Sequence, residues 1–245
     1  MSGLELWLAW GGVALVGALL ALDETSLAQT WLSQPLPAAL LAGLVVGEPA
    51  AALVPGFFMQ LIVLGNLPVG AASTLDATSA TVGVVAGALI GGWNPPEGGS
   101  PLVAFSGEAA WPVGLQMVLM ALASLAGGRL IQLQRQAHLA WKLAAYRRIR
   151  DGDFTMVDRL HRKALVVAAA RGGAMSLLIA AVVAIGWSWS GDAVPAAGRE
   201  ILARLPLVAV PLAVATLSER FGHPRAVPVL VVTVGLGLAA GWWLA

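Results

Sequence analysis

The residues of this sequence able to do chemistry are polar side chains set among long apolar runs. Asp23-Glu24 closes an apolar run over 4–22, and Glu48 follows Gly47. Gln60 sits inside Phe57-Phe58-Met59-Gln60-Leu61-Ile62, and Asp76 precedes the apolar run 79–91. A charged group in hydrocarbon costs about 2.5–3.5 kcal/mol at a helix centre on insertion scales, so it persists where it faces a cavity or a partner. A buried amide such as Gln60 likewise needs a hydrogen-bond partner, either a solute hydroxyl or another stretch of backbone. Acidic and amide groups suit a polar neutral or cationic solute. An anion site would carry basic groups, and residues 1–128 contain no Lys or Arg. A proton-coupled carrier would use Glu24 and Asp76 equally well.

Covalent chemistry has little to stand on. There is no cysteine, which excludes disulfides and thiolate metal sites. His138, His161 and His223 fall outside the spans and form no pair with metal-ligand spacing. No phosphate-cradling glycine loop or Ser-His-Asp arrangement appears. The expectation is a protein that is not an enzyme by itself and needs no cofactor or metal.

The elements that position these groups follow from composition. Of 245 residues, 58% are hydrophobic and 11% charged, less than half the roughly 25% of a soluble domain. Lipid is therefore the solvent for much of the chain. Net charge is +1, too small to suggest a nucleic-acid partner. Ten of the fourteen basic residues lie within 129–171, and the positive-inside rule assigns that stretch to the cytoplasm.

Residues 4–22 have the length of a spanning helix. Leu27, Ala28, Trp31 and Leu32 repeat at i, i+4, as in a short interfacial helix. The runs 36–46, 50–65 and 79–91 are each too short for a full crossing and are punctuated by Gly and Pro. They read as broken or re-entrant helices, which in transporters mark the substrate site. Gly43 and Gly47, and then Gly83, Gly87 and Gly91, recur every four residues, a pattern that lets helices approach closely.

A span begins at 113–126, and 129–163 predicts two amphipathic cytoplasmic helices around the turn Arg150-Asp151-Gly152-Asp153, with Asp153 as an N-cap. Further spans follow at 164–189, 201–217 and 226–245, with a loop at 192–200. The predicted fold is an all-α polytopic membrane protein of about six to nine transmembrane or re-entrant helices, some broken. It is a single domain over 1–245, with an acidic, base-free membrane half at 4–128, a basic cytoplasmic stretch at 129–163 and a C-terminal membrane half at 164–245.

A longer pattern links the polar positions. Leu22-Asp23-Glu24 is followed by Gln34-Pro35-Leu36 and by Ala42-Gly43-Leu44-Val45-Val46-Gly47-Glu48. Gly56-Phe57-Phe58-Met59-Gln60-Leu61, Leu64-Gly65, Val69-Gly70-Ala71-Ala72 and Leu75-Asp76-Ala77 complete it. In order and spacing this resembles membrane component IIC of the mannose-family phosphotransferase system. Weaker similarity continues through Gly152-Asp153, Arg159-Leu160-His161 and Arg171-Gly172-Gly173-Ala174, and the last forty residues depart from the family pattern.

The resemblance implies a sugar permease subunit in a bacterial cytoplasmic (inner) membrane. It implies a IID membrane partner, assembly as a trimer of IIC–IID pairs, and soluble IIA and IIB proteins that phosphorylate the sugar. Glu24, Gln60, Asn66 and Asp76 carry over as sugar-binding residues. Asp23 and Glu48 are read as helix-end or interface groups, and Gly43, Gly47 and Gly70 as structural ones. The C-terminal departure keeps a second reading open, a regulatory scaffold subunit, beside the proton-coupled carrier.

Overall fold

The computed structural model describes residues 2–25, 30–64, 75–94 and 110–221, with positions 232 and 235. Seven helices account for nearly all of them: α1 (Gly3–Thr25), α2 (Pro35–Val46), α3 (Pro49–Val63), α4 (Ala77–Ile90), α5 (Trp111–Arg150), α6 (Thr155–Ala193) and α7 (Ala196–Phe221).

Local sequence sets the helix ends. Ser2 and Glu5 form a reciprocal capping box at the start of α1: Ser2 N donates to Glu5 Oε2 at 2.6 Å, and Glu5 N to Ser2 Oγ at 3.3 Å. Pro35 and Pro49 open α2 and α3, where a missing N–H leaves no bond unmade. Gly47, at φ +90°, ends α2 in the left-handed conformation that glycine adopts freely. It is a helix stop, and Gly43 is the packing residue, since a Cβ there would come within 2.5 Å of Ala52 Cβ on α3.

Length separates the helices into two groups. α2, α3 and α4 have 12, 15 and 14 residues, or about 18–22 Å, short of the ~30 Å hydrocarbon core. α1, α5, α6 and α7 are long and apolar enough to cross a membrane. The short helices are the most enclosed. Every residue of α4 from Thr78 to Leu89 is buried, with α1, α2, α3, α5 and α6 packed around it. The glycine spacing serves this packing within the chain: a Cβ on Gly83, Gly87 or Gly91 would fall 2.6–2.7 Å from Ile179, Ala180 or Ala184 of α6.

Three sequence expectations are corrected. The basic stretch does not form separate amphipathic helices. α5 and α6 run unbroken through it, 40 and 39 residues long, about 60 Å each and twice the thickness of the hydrocarbon core. Nothing between 129 and 150 breaks a helix, since that stretch contains neither Gly nor Pro. The turn is as expected: Gly152 adopts φ +84°, and Asp153 Oδ1 accepts from Thr155 N at 3.1 Å and Thr155 Oγ1 at 2.6 Å.

The loop at 192–200 shrinks to Val194–Pro195, because α6 continues to Ala193 and α7 resumes at Ala196. Arg199 folds back onto the end of α6, its Nε donating to Val194 O at 3.0 Å. The interfacial helix expected near Trp31 does not extend through 30–34, which is a turn with Trp31 itself at φ +70°. The remainder of that segment, 26–29, lies outside the described residues, as does nearly all of 226–245.

Candidate functional site

Arg171 is the centre of the site. It lies on α6 beside Gly172 and Gly173, where α1 and α6 meet almost backbone to backbone. A Cβ on Gly172 would overlap Ala21 Cβ and the Gly17 carbonyl. Ala21 and Glu24 are three residues apart on one face of α1, so this close approach delivers the Glu24 carboxylate to Arg171 at 3.8 Å. The other Arg171 nitrogen, Nη1, pairs directly with Asp76 Oδ2. The Arg171 and Glu24 side chains are 12% and 9% exposed, and that of Asp76 only 1%.

Asp76 is locked by three helices. Its Oδ1 accepts from Ser79 N at 3.0 Å and caps α4. Its own N–H donates to Ser124 O of α5 at 3.0 Å, and Gly127 leaves room for its Cβ. With Oδ2 held by Arg171, both carboxylate oxygens are engaged. Glu24 holds Arg171 more loosely and also feels Arg135 of α5 electrostatically.

A second polar group adjoins the first through the turn before α2. Asp23 grips that turn: Oδ1 accepts from Thr30 N at 2.7 Å and Thr30 Oγ1 at 2.6 Å, and Oδ2 from Ser33 N at 3.0 Å. These bonds hold Trp31 in its left-handed conformation, unusual for a bulky residue. Thr78 Oγ1, two residues past Asp76, donates to Ser33 O at 2.6 Å. The next residue, Gln34, accepts from Gln60 Nε2 at 3.2 Å, while Gln60 Oε1 accepts from Leu36 N at 3.4 Å. Leu36 N is among the first amides of α2, which have no partner within their own helix. Gln60 is thus half-buried against the open end of a short helix.

Of the sequence-predicted residues, Glu24 and Asp76 meet through Arg171, and Gln60 joins them through Gln34, Ser33 and Thr78. Asp23 organises the turn between them. Glu48 stands apart, exposed at the junction of α2 and α3. Phe58 is fully buried, with its ring 5.3 Å from that of the more exposed Phe57. Asn66 and Gly70 lie outside the described residues. Arg171 was missed by sequence reasoning. A lone cation seven residues into the apolar run 164–189 was the available signal.

Short, enclosed helices around a buried ionic cluster, flanked by long apolar helices, define a polytopic membrane protein. The chain belongs to the family described as the PTS system sorbose-specific IIC component (EII-Sor), whose model matches residues 9–196. It is a multi-pass protein of the bacterial cytoplasmic membrane. A curated relative, the PTS system sorbose-specific EIIC component of Lacticaseibacillus casei, is 26% identical over 175 residues, 71% of this chain and 54% of that protein. The chain therefore spans about half the length of that relative. Two solved structures share the fold. One, described only as a membrane protein, gives a TM-score of 0.64 at 20% identity over 98% of this chain and 87% of that one. The other, the mannose transporter ManYZ in complex with microcin E492, gives 0.51 at 22% identity over the same shares.

Proposed function

We propose that this chain is the sugar-translocating permease subunit of a mannose-type phosphotransferase system. Sugar binds near mid-membrane and is phosphorylated by a partner IIB protein, so the chain itself performs no phosphoryl transfer. A IID membrane subunit and soluble IIA and IIB proteins are its partners, with assembly as a trimer of IIC–IID pairs.

The observation that carries this reading is the convergence of Glu24, Arg171 and Asp76 beside the Gln34–Gln60 amide pair, where the short helices α2, α3 and α4 begin or end. Glu24 and Gln60 are the sugar-contacting residues. Glu24 is loosely held and accepts hydroxyl protons, while the Gln60 amide both donates and accepts. Asp76 and Arg171 position them. Both oxygens of Asp76 are already engaged, so its role is to fix Arg171 and the start of α4. Asn66 remains a proposed contact from the resemblance alone.

The proton-coupled alternative is less well supported, because both acids are already paired with Arg171. The test is sugar uptake and equilibrium binding by the chain reconstituted with its IID partner. Glu24→Ala and Gln60→Ala should each weaken sugar binding by tenfold or more. Unchanged affinity in both variants refutes the assignment, and uptake driven by a proton gradient without a phosphoryl donor refutes the class.

A further inference from the structure

A second polar layer lies further along the α5–α6 hairpin. The buried stripe of α5 runs from Ser124 and Gly127, against Asp76, through Ile131. The residues that continue this face are Gln134, Arg135 and His138. Arg135 stands eight residues beyond Gly127, about 12 Å along the helix. In this layer Gln134 Oε1, Arg135 Nη2 and His138 Nε2 are enclosed yet have no hydrogen-bond partner, and Arg171 Nε of α6 is likewise unpaired. Enclosed polar atoms without partners are uncommon and call for something to fill them. Turning the Gln134 amide over puts its NH2 where the unpartnered oxygen stands. The layer then offers a guanidinium, an imidazole and an amide as donors, the groups that recognise a phosphate.

The charge around this layer has the same sense. Residues 129–163 hold nine basic side chains against three acidic ones. Among the described residues no carboxylate forms an ion pair with Arg135, and Glu24 is paired instead with Arg171. Below Arg135 the His138 ring lies 5.1 Å from Trp141, whose face is covered by Lys163 Nζ at 4.1 Å.

We propose that Gln134, Arg135 and His138 form a site for a phosphate monoester, distinct from the sugar-contacting residues, that receives the phosphorylated sugar as it leaves. This rests on the permease reading. A neutral sugar suits the acidic layer of Glu24 and Asp76. Once it carries a phosphate dianion, that layer repels it and the Arg135 layer attracts it. The order of charge along the hairpin thereby opposes return of the product.

The experiment titrates the full chain together with its IID partner, in nanodiscs of phosphatidylcholine alone, with a free hexose and with the corresponding hexose 6-phosphate. The readout is the ratio of the two affinities. The phosphate ester should bind at least tenfold more tightly. Arg135→Gln and His138→Asn should each reduce the ratio several-fold, while Lys142→Gln, an exposed change of charge on the same helix, should leave it unaltered. A wild-type ratio of one or below, or a ratio untouched by both variants, overturns the site. Discs containing phosphatidylglycerol separate the two sources of phosphate. If this lipid stabilises the chain in an Arg135-dependent way and the hexose phosphate does not, the site is a headgroup seat and its assignment to product is overturned. Gln60-sensitive hexose binding without any phosphate preference sinks this inference alone, whereas absence of hexose binding sinks the permease reading itself.

Discussion

Replacing Arg171 with Gln tests the ionic core most severely. The wild-type guanidinium pairs with Asp76, 1% exposed, and reaches Glu24 at 3.8 Å, 9% exposed. Without it two carboxylates remain enclosed with their common counter-ion gone. Breaking a buried pair by removing one partner costs about 3–5 kcal/mol, because the remaining charge is uncompensated. Arg171→Gln should therefore lower the unfolding free energy, measured by SDS titration in mixed micelles, by about 3–5 kcal/mol. Asp76→Asn in the same background removes one stranded charge and keeps an Asn able to cap α4. The double variant should recover roughly 0.5–3 kcal/mol relative to additivity, the range for residues in direct contact. A loss below about 1 kcal/mol for Arg171→Gln, or strictly additive effects with Asp76→Asn, would refute the reasoning, since exposed ion pairs behave that way.

Three further predictions concern packing, unpaired polarity and the hairpin tip. Gly172→Ala inserts a methyl group between α1 and α6 against Ala21 and the Gly17 carbonyl, and should destabilise by about 1–3 kcal/mol. Gly186→Ala, on the same helix with open space around it, should be neutral or stabilising by up to about 1 kcal/mol; SDS unfolding of both variants checks the contrast. Gln116 is fully buried with both amide atoms unpaired, so Gln116→Leu should stabilise the chain by about 1–3 kcal/mol, and a destabilised variant would reveal a native partner for that amide. The Thr155 hydroxyl holds the Asp153 carboxyl below its ordinary range. A lowered value in the folded state means the turn gains stability above the usual carboxylate pKa and loses it as pH falls through the folded value; an NMR titration of Asp153 should give a midpoint that rises in Thr155→Ala.

Much of the membrane half was legible because its punctuation is local. Pro35, Gly47 and Pro49 each mark a helix end by a backbone property that no tertiary contact needs to supply. The polar residues Glu24, Gln60 and Asp76 stood out because their neighbours are apolar, and the structure gathers them into adjoining clusters. What the sequence did not reveal depends on partners far apart in the chain. Arg171 and Asp76 are separated by 95 residues, and only the glycine-mediated contact of α1 with α6 brings Glu24 to the same point. The continuity of α5 was hidden for a different reason. Its apolar spacing changes near 129, which resembles the start of a new helix, yet an uninterrupted backbone hydrogen-bond ladder needs no constant apolar face.

The most direct test of the permease assignment is a cryo-EM map of the chain with its IID partner and a saturating hexose. The account predicts sugar density within hydrogen-bond distance of Glu24 and Gln60, with the Arg171–Asp76 pair intact behind it. Sugar density remote from both residues, with their side chains unmoved and the Gln34–Gln60 bond retained, would contradict it.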